Sequence, residues 1–398
     1  MRALFEAVYA DGWDDEVVNP LTRAVAEARD AAGEPYTVLL LIDGRRHAVL
    51  DISWSDGYCR VERYDAAGRR LSQHELRGTP DGDLFLRRAR TWDGSATPDA
   101  GVFEFPHVAA RHVTTYRLSG ERTDVDEPLG DRGSRNESRS SQSPPRLPIP
   151  RFGQWQGLLG LAGDGLSDIV DAAHNPMPVR TGSRPPWRPP RPLQPSGIEE
   201  LFATGAERVI KDRRLRLSTR GAGSLRLPSG RLVAADPSSL PYDGEPFSVT
   251  VSPGTYPVTV SLATFIDDPG HSRVVAARLD VTDRPVDRWE LALRDSQDPL
   301  DLGHQEFFGF GVDAGMACFV DAEACDRLSD VWHTLDGLVE PRHLEVGDGD
   351  MVAWSSGWGD GAYPTWIGRD STGAVACFVA DMLLFPSESA DDDEDDDD

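Results

Sequence analysis

Lysine is almost missing from this chain: Lys211 stands alone against 40 arginines in 398 residues. The imbalance reads as a coding bias toward arginine and carries no functional signal. Cysteine is scarce too. Cys59, Cys318, Cys325 and Cys377 show no CxxC spacing. That excludes the paired ligands of a structural zinc site and leaves reduced, buried thiols as the expectation. No apolar run reaches membrane-spanning length, and the longest, Tyr36–Ile42, reads as a buried strand. The first residues enter an acidic segment instead of a signal-peptide core, so the expected location is cytoplasmic, with no membrane partner. A P-loop, HExxH and GxSxG are all absent, and no motif calls for a cofactor.

What the chain has in excess is negative charge. Its net charge is −26, and residues 201–398 alone hold 15 Arg, one Lys and 37 acids, a net of −21. So acidic a body repels phosphate backbones, which disfavours duplex nucleic acid and suits a basic partner.

The length suggests two domains with connecting material. The expected class is α+β. Residues 1–120 read as an N-terminal helix plus an antiparallel β-meander. Leu4, Phe5 and Val8 open the helical material, and a second apolar stripe over residues 21–28 is stopped by Gly33. Asp43-Gly44, Asp56-Gly57, Asp81-Gly82 and Asp93-Gly94 then punctuate strands at about ten-residue spacing, which is hairpin chemistry. Residues 121–196 are Ser/Arg- and then Pro/Arg-rich, the composition of a linker, with one short helix expected in the apolar stretch around Trp155, Leu158 and Leu159. Residues 197–388 read as a β-rich, sandwich-like domain with one helix, N-capped by Asp321 and running to Leu335. Residues 389–398 are an acidic tail that repels itself and is expected to be disordered.

One pattern occurs twice. Gly311-Val-Asp313-Ala-Gly315 leads into Ala317-Cys-Phe-Val320, and Gly368-Arg-Asp370-Ser-Thr-Gly373 leads into Ala376-Cys-Phe-Val379. Each copy reads as a strand, a tight turn at Gly-x-Asp, and a returning strand of the same sheet. Cys and Val would face one way, Ala and Phe the other. Between the copies, residues 354–366 pack four aromatics and several glycines into 13 positions. Glycines let backbone approach a ligand and tryptophans give flat walls, although the same residues equally fill a core and make turns. The candidate ligand-binding residues are therefore Trp358, Asp360, Tyr363, Trp366, Arg369 and Asp370, with a polypeptide or small molecule as the ligand. The alternative is a metal-assisted hydrolase in which Asp313, Asp360 and Asp370 converge. Ser355 or Ser356 with His333 or His343 lacks any local orienting group, and Gly347-Asp348-Gly349-Asp350 reads as a turn.

Residues 225–386 resemble a bacterial family, domain of unknown function 4241. The resemblance rests on Ser229-Gly-Arg231-Leu-Val-Ala-Ala-Asp236-Pro237, on Pro253-Gly254-Thr-Tyr256-Pro257-Val258, on the Asp313 segment, and on Gly359-Asp360-Gly361-Ala-Tyr363-Pro-Thr-Trp366-Ile-Gly368-Arg-Asp370. It implies no reaction, cofactor or partner. The reading as a whole is a two-domain binding or interaction protein of regulatory or toxin-antagonist kind.

Overall fold

Strands dominate the computed structural model, which describes residues 4–92, 111–127, 135–161, 168–182, 187–328, 330–335, 338 and 340–385. The chain divides into two units, Met1–Pro190 and Arg191–Asp398. The expected acidic tail, 389–398, lies outside the described residues.

The first unit is built on one sheet. Its strands are β1 (Leu4–Trp13), β2 (Val17–Leu21), β3 (Tyr36–Ile42), β4 (Arg45–Ser53), β5 (Tyr58–Tyr64), β6 (Arg70–Gly78), β7 (Asp83–Trp92), β8 (Arg111–Tyr116), β9 (Glu121–Glu127) and β10 (Asn136–Ser141), with short β11 (Arg146–Pro148), β12 (Asp168–Asp171) and β13 (Val179–Arg180). From β3 to β10 each strand pairs with its successor, the signature of a meander, except that β11 folds back on β7. The helical reading of Leu4, Phe5 and Val8 does not hold: β1 is a strand between β2 and β3. Phe5, Ala7 and Tyr9 face one apolar cluster, while Val8 and Ala10 face another. A strand buried on both faces has no two-residue alternation in hydrophobicity, so its sequence imitates a helix. The unit does contain α1 (Arg23–Ala32). Thr22 caps its start by accepting from the Val25 N–H, and left-handed Gly33 ends it.

The linker reading of residues 121–196 also gives way. Their described part supplies five of these strands and α2 (Gln156–Leu161). Trp155, Leu158 and Leu159 are buried in the same cluster as Phe5, Val38 and Leu50. Phe152 packs edge-on against Trp155 at 5.3 Å and stacks on Tyr9 at 5.5 Å. A few large apolar anchors outweigh a polar, proline-rich average, because one buried aromatic removes as much surface from water as several small residues expose.

The second unit is a pair of facing sheets. The larger contains β14 (Glu207–Ile210), β15 (Arg213–Leu227), β17 (Gly254–Phe265), β18 (Asp268–Asp280), β19 (Arg288–Leu291), β20 (Gly309–Val312), β24 (Gly361–Arg369) and β25 (Val375–Asp381). The smaller runs β16 (Leu232–Ala235), β21 (Met316–Asp321), β23 (Gly349–Ser355), β22 (Arg342–Val346) in spatial order. The two Ala-Cys-Phe-Val segments are strands, but of different sheets: one lies in β21, the other in β25. Only the second follows a hairpin, since β20 pairs with β24 and leaves β21 to pair with β16 and β23. The alternation itself is as expected. Phe319 and Phe378 enter one shared cluster, whereas Cys318 with Val320 and Cys377 with Val379 enter two outer ones. The repeat is thus two strands that face each other across the core. The helix expected from Asp321 to Leu335 is broken. Asp321 caps a single 3-10 turn, Ala322–Ala324, by accepting from Glu323 N–H; Cys325–Leu328 follows, and Trp332–Leu335 is a separate turn.

Candidate functional site

The turn from β23 into β24 is the part of the candidate region that reaches solvent. Trp354, the last buried aromatic of β23, packs edge-on against Phe319 at 4.8 Å. The chain then turns through Ser356-Gly357-Trp358-Gly359-Asp360. Gly357 has a φ of +61°, and a Cβ there would stand 3.0 Å from Met382 Cβ and 3.1 Å from Val274 O, so only glycine lets the turn lie so close to its neighbours. Six hydrogen-bond contacts fix it. Gly359 N–H donates to Ser356 O at 3.0 Å, and Ser356 Oγ donates to Gly359 O at 2.7 Å. The Tyr363 hydroxyl lies 2.9 Å from Ser356 O and 2.8 Å from Gly359 O, donating between them. Ser356 N–H donates to Gly315 O at 3.0 Å, and Gly315 N–H donates to Asp360 Oδ1 at 3.2 Å. This framework holds the Trp358 ring outward, 51% exposed, with the Arg273 guanidinium 5.4 Å from its centroid. Arg273 comes from β18, far away in sequence, and no local signal could have linked it to Trp358.

The remaining sequence candidates separate. Trp366 is 1% exposed and belongs to a core cluster, so it walls no cleft. Tyr363 is buried and serves the turn through its hydroxyl. Arg369 donates to Glu290 at 2.6 Å and to Gly373 O at 2.9 Å. Asp370 is spent on its own hairpin turn. Its carboxylate accepts from the Thr372 hydroxyl at 2.6 Å, from Arg284 at 2.9 Å, and from the N–H groups of Thr372 and Ala374. The Thr372 hydroxyl first, then Arg284, hold that carboxyl well below the usual carboxylate range.

Nor do the three aspartates of the alternative reading converge. Asp360 precedes β24 and Asp370 follows it. Nine strand residues put them roughly 25–30 Å apart, far beyond the range of a shared cation. Asp313 lies on the crossing from β20 to β21, where its N–H and that of Ala314 donate to Asp236, at 2.9 and 2.8 Å. The thiols behave as expected: all four are buried, and burial pushes Cys325 and Cys377 up to about 11.

A small depression opens beside β24, lined by Phe247, Phe308, Phe310, Arg294, Gln297 and Thr365. Arg294 is paired to Asp243 there and Gln297 accepts from the Arg294 N–H, while the Thr365 hydroxyl is buried without a hydrogen-bond partner.

Comparison with known proteins agrees with the resemblance over this unit. Residues 225–380 match the family described as protein of unknown function (DUF4241), and nothing before them matches a family. No curated protein and no solved structure matches the chain. The matched span contains both sheets' central strands and the whole Trp358 turn. No helix among the described residues is long and apolar enough to cross a membrane.

Proposed function

We propose that this is a binding protein, and that its C-terminal unit docks a basic polypeptide through the Trp358 turn. The observation that carries the reading is an exposed tryptophan, stacked with an arginine, on a turn locked by six hydrogen-bond contacts. Tryptophan and arginine supply a disproportionate share of interface binding energy, and a side chain already held in place loses little entropy on docking. Asp313 and Asp360 are exposed on the adjoining turns, and the surrounding chain is strongly acidic, which favours a basic partner and fast, salt-sensitive association. A regulatory or toxin-antagonist role suits such a module. The separation of Asp360 from Asp370 removes the support for a hydrolase built on the three aspartates.

The test is capture of partners from the native host by the full chain, repeated with Trp358→Ala and Arg273→Ala. Trp358→Ala is expected to weaken the captured complex at least tenfold, the scale of an interface hot spot, with the fold unchanged. Equal capture by all three proteins would reject this surface.

A further inference from the structure

A second cluster, on the hairpin of the smaller sheet, is independent of the Trp358 turn. β22 and β23 are joined at Gly347-Asp348, with Gly347 at a φ of +60°. Across this hairpin Glu345 stands directly opposite Asp350, and His343 is two residues from Glu345 on the same face. One donor atom from each of the three side chains lies within 4.8 Å of the other two. His343 Nε2 is 3.0 Å from Asp350 Oδ2.

We propose that His343, Glu345 and Asp350 bind a first-row divalent cation, with Zn²⁺ the best match. One imidazole nitrogen and two carboxylates form a donor set that zinc accepts, at about 2.0–2.2 Å from each ligand. Neighbouring ligands around such an ion are separated by roughly 3–3.5 Å, the distance His343 and Asp350 already keep. The ion takes the place of their hydrogen bond. Asp350 is the fixed ligand: it is 1% exposed, and its Oδ2 accepts from the Arg226 N–H at 3.1 Å, the kind of outer support that orients a metal-bound carboxylate. The imidazole has a prepared seat. Gly223, at a bulge in β15 with φ +107°, approaches so closely that a Cβ would sit 2.9 Å from His343 Cβ. The Arg226 guanidinium, 3.5 Å from Asp350 Oδ2 and 44% exposed, lies beside the carboxylate and balances its charge. His343 and Glu345 face solvent, so water completes the coordination. The ion would pin β22, the edge strand of its sheet, to its neighbour. The sequence held a usable signal, His-x-Glu followed by a two-residue turn and Asp, but only the strand register turns that spacing into a cluster.

Isothermal titration of the full chain with Zn²⁺ tests this, beside Glu345→Gln and His343→Gln. Both positions are solvent-facing, so these variants should fold, and circular dichroism checks that they do. The expected result is one tight equivalent that each variant weakens at least tenfold. With Co²⁺ as the probe, the visible absorption of the bound ion should change in His343→Gln, because an imidazole ligand is lost. Absence of tight binding overturns the proposal. So does binding equal in all three proteins, which would place the ion on other carboxylates, such as the run Asp391–Asp398.

Discussion

Gly315 and Asp360 are joined across the two halves of the candidate site: the Gly315 N–H donates to the Asp360 carboxylate at 3.2 Å. The acid of the second loop thus fastens the turn of the first copy of the repeat. Because the contact is long and exposed, its energy is small. Asp360→Asn keeps an acceptor oxygen and is expected to cost about 1 kcal/mol or less in urea unfolding. Removing Asp360 should also leave any Zn²⁺ affinity as it was, since the proposed ion sits on the β22–β23 hairpin. A Zn²⁺ titration of Asp360→Asn that lost the tight equivalent would contradict that placement.

Tyr363 is the stronger fastening. Its buried hydroxyl serves two carbonyls of the Trp358 turn. Each keeps a second donor, Ser356 Oγ for Gly359 O and the Gly359 N–H for Ser356 O, so neither is stranded by Tyr363→Phe. We expect that variant to lose about 1–2 kcal/mol of stability. Its captured partner should also dissociate faster than from the wild type, because a looser turn must be ordered on binding. A variant as stable as the wild type, with unchanged dissociation, would show that the turn is held by other means.

How far these relationships could be read from the sequence depends on which kind of neighbour makes them. The alternation of Ala317 and Phe319 against Cys318 and Val320 was legible, because a strand with two different faces writes its period into the chain. The β24–β25 hairpin was legible for the same reason, through Asp370 and Gly373. That β20 deserts β21 to pair with β24 was not legible, since strand pairing is a property of remote segments. The composition of residues 354–366 fits a cleft and a core turn equally well. Burial alone separates exposed Trp358 from buried Trp354 and Trp366, and burial is decided elsewhere in the chain, by Phe319 beside Trp354 and by Ala276 and Val379 around Trp366.

Trp155 tests the corrected role of the segment between the expected domains. It is completely buried among residues of β1, β3 and β4. Trp155→Ala should cost about 3–5 kcal/mol by opening a cavity in the first unit. In limited proteolysis the wild type is expected to resist cutting around residues 152–159, while the variant is cut there. Early cleavage of the wild type at the same place would restore the linker reading.

Asp381 supplies a pH dependence whose sign runs against the usual carboxylate case. Asp381 is partly exposed; its Oδ1 accepts from the Leu383 N–H at 2.9 Å and its Oδ2 is 3.4 Å from Trp366 Nε1, too little to offset the loss of hydration that pushes the carboxyl up to about 6. In the unfolded chain the same group titrates near 3.9. Between these values the folded protein holds a proton that the unfolded chain has released. The contribution of Asp381 is therefore fully present below about pH 4 and is lost as pH rises through 6. A difference of about two pH units corresponds to roughly 3 kcal/mol at most, reached only above pH 7. Asp381→Asn, which cannot ionise, should accordingly be more stable than the wild type by about 1–3 kcal/mol at pH 7.5 and nearly equal to it at pH 4. Urea unfolding of both proteins at the two pH values measures this difference, with the titration of every other group common to both. A stability difference that stays constant across the range would show that Asp381 is ionised throughout, and that the bonds from Leu383 and Trp366 outweigh its loss of hydration.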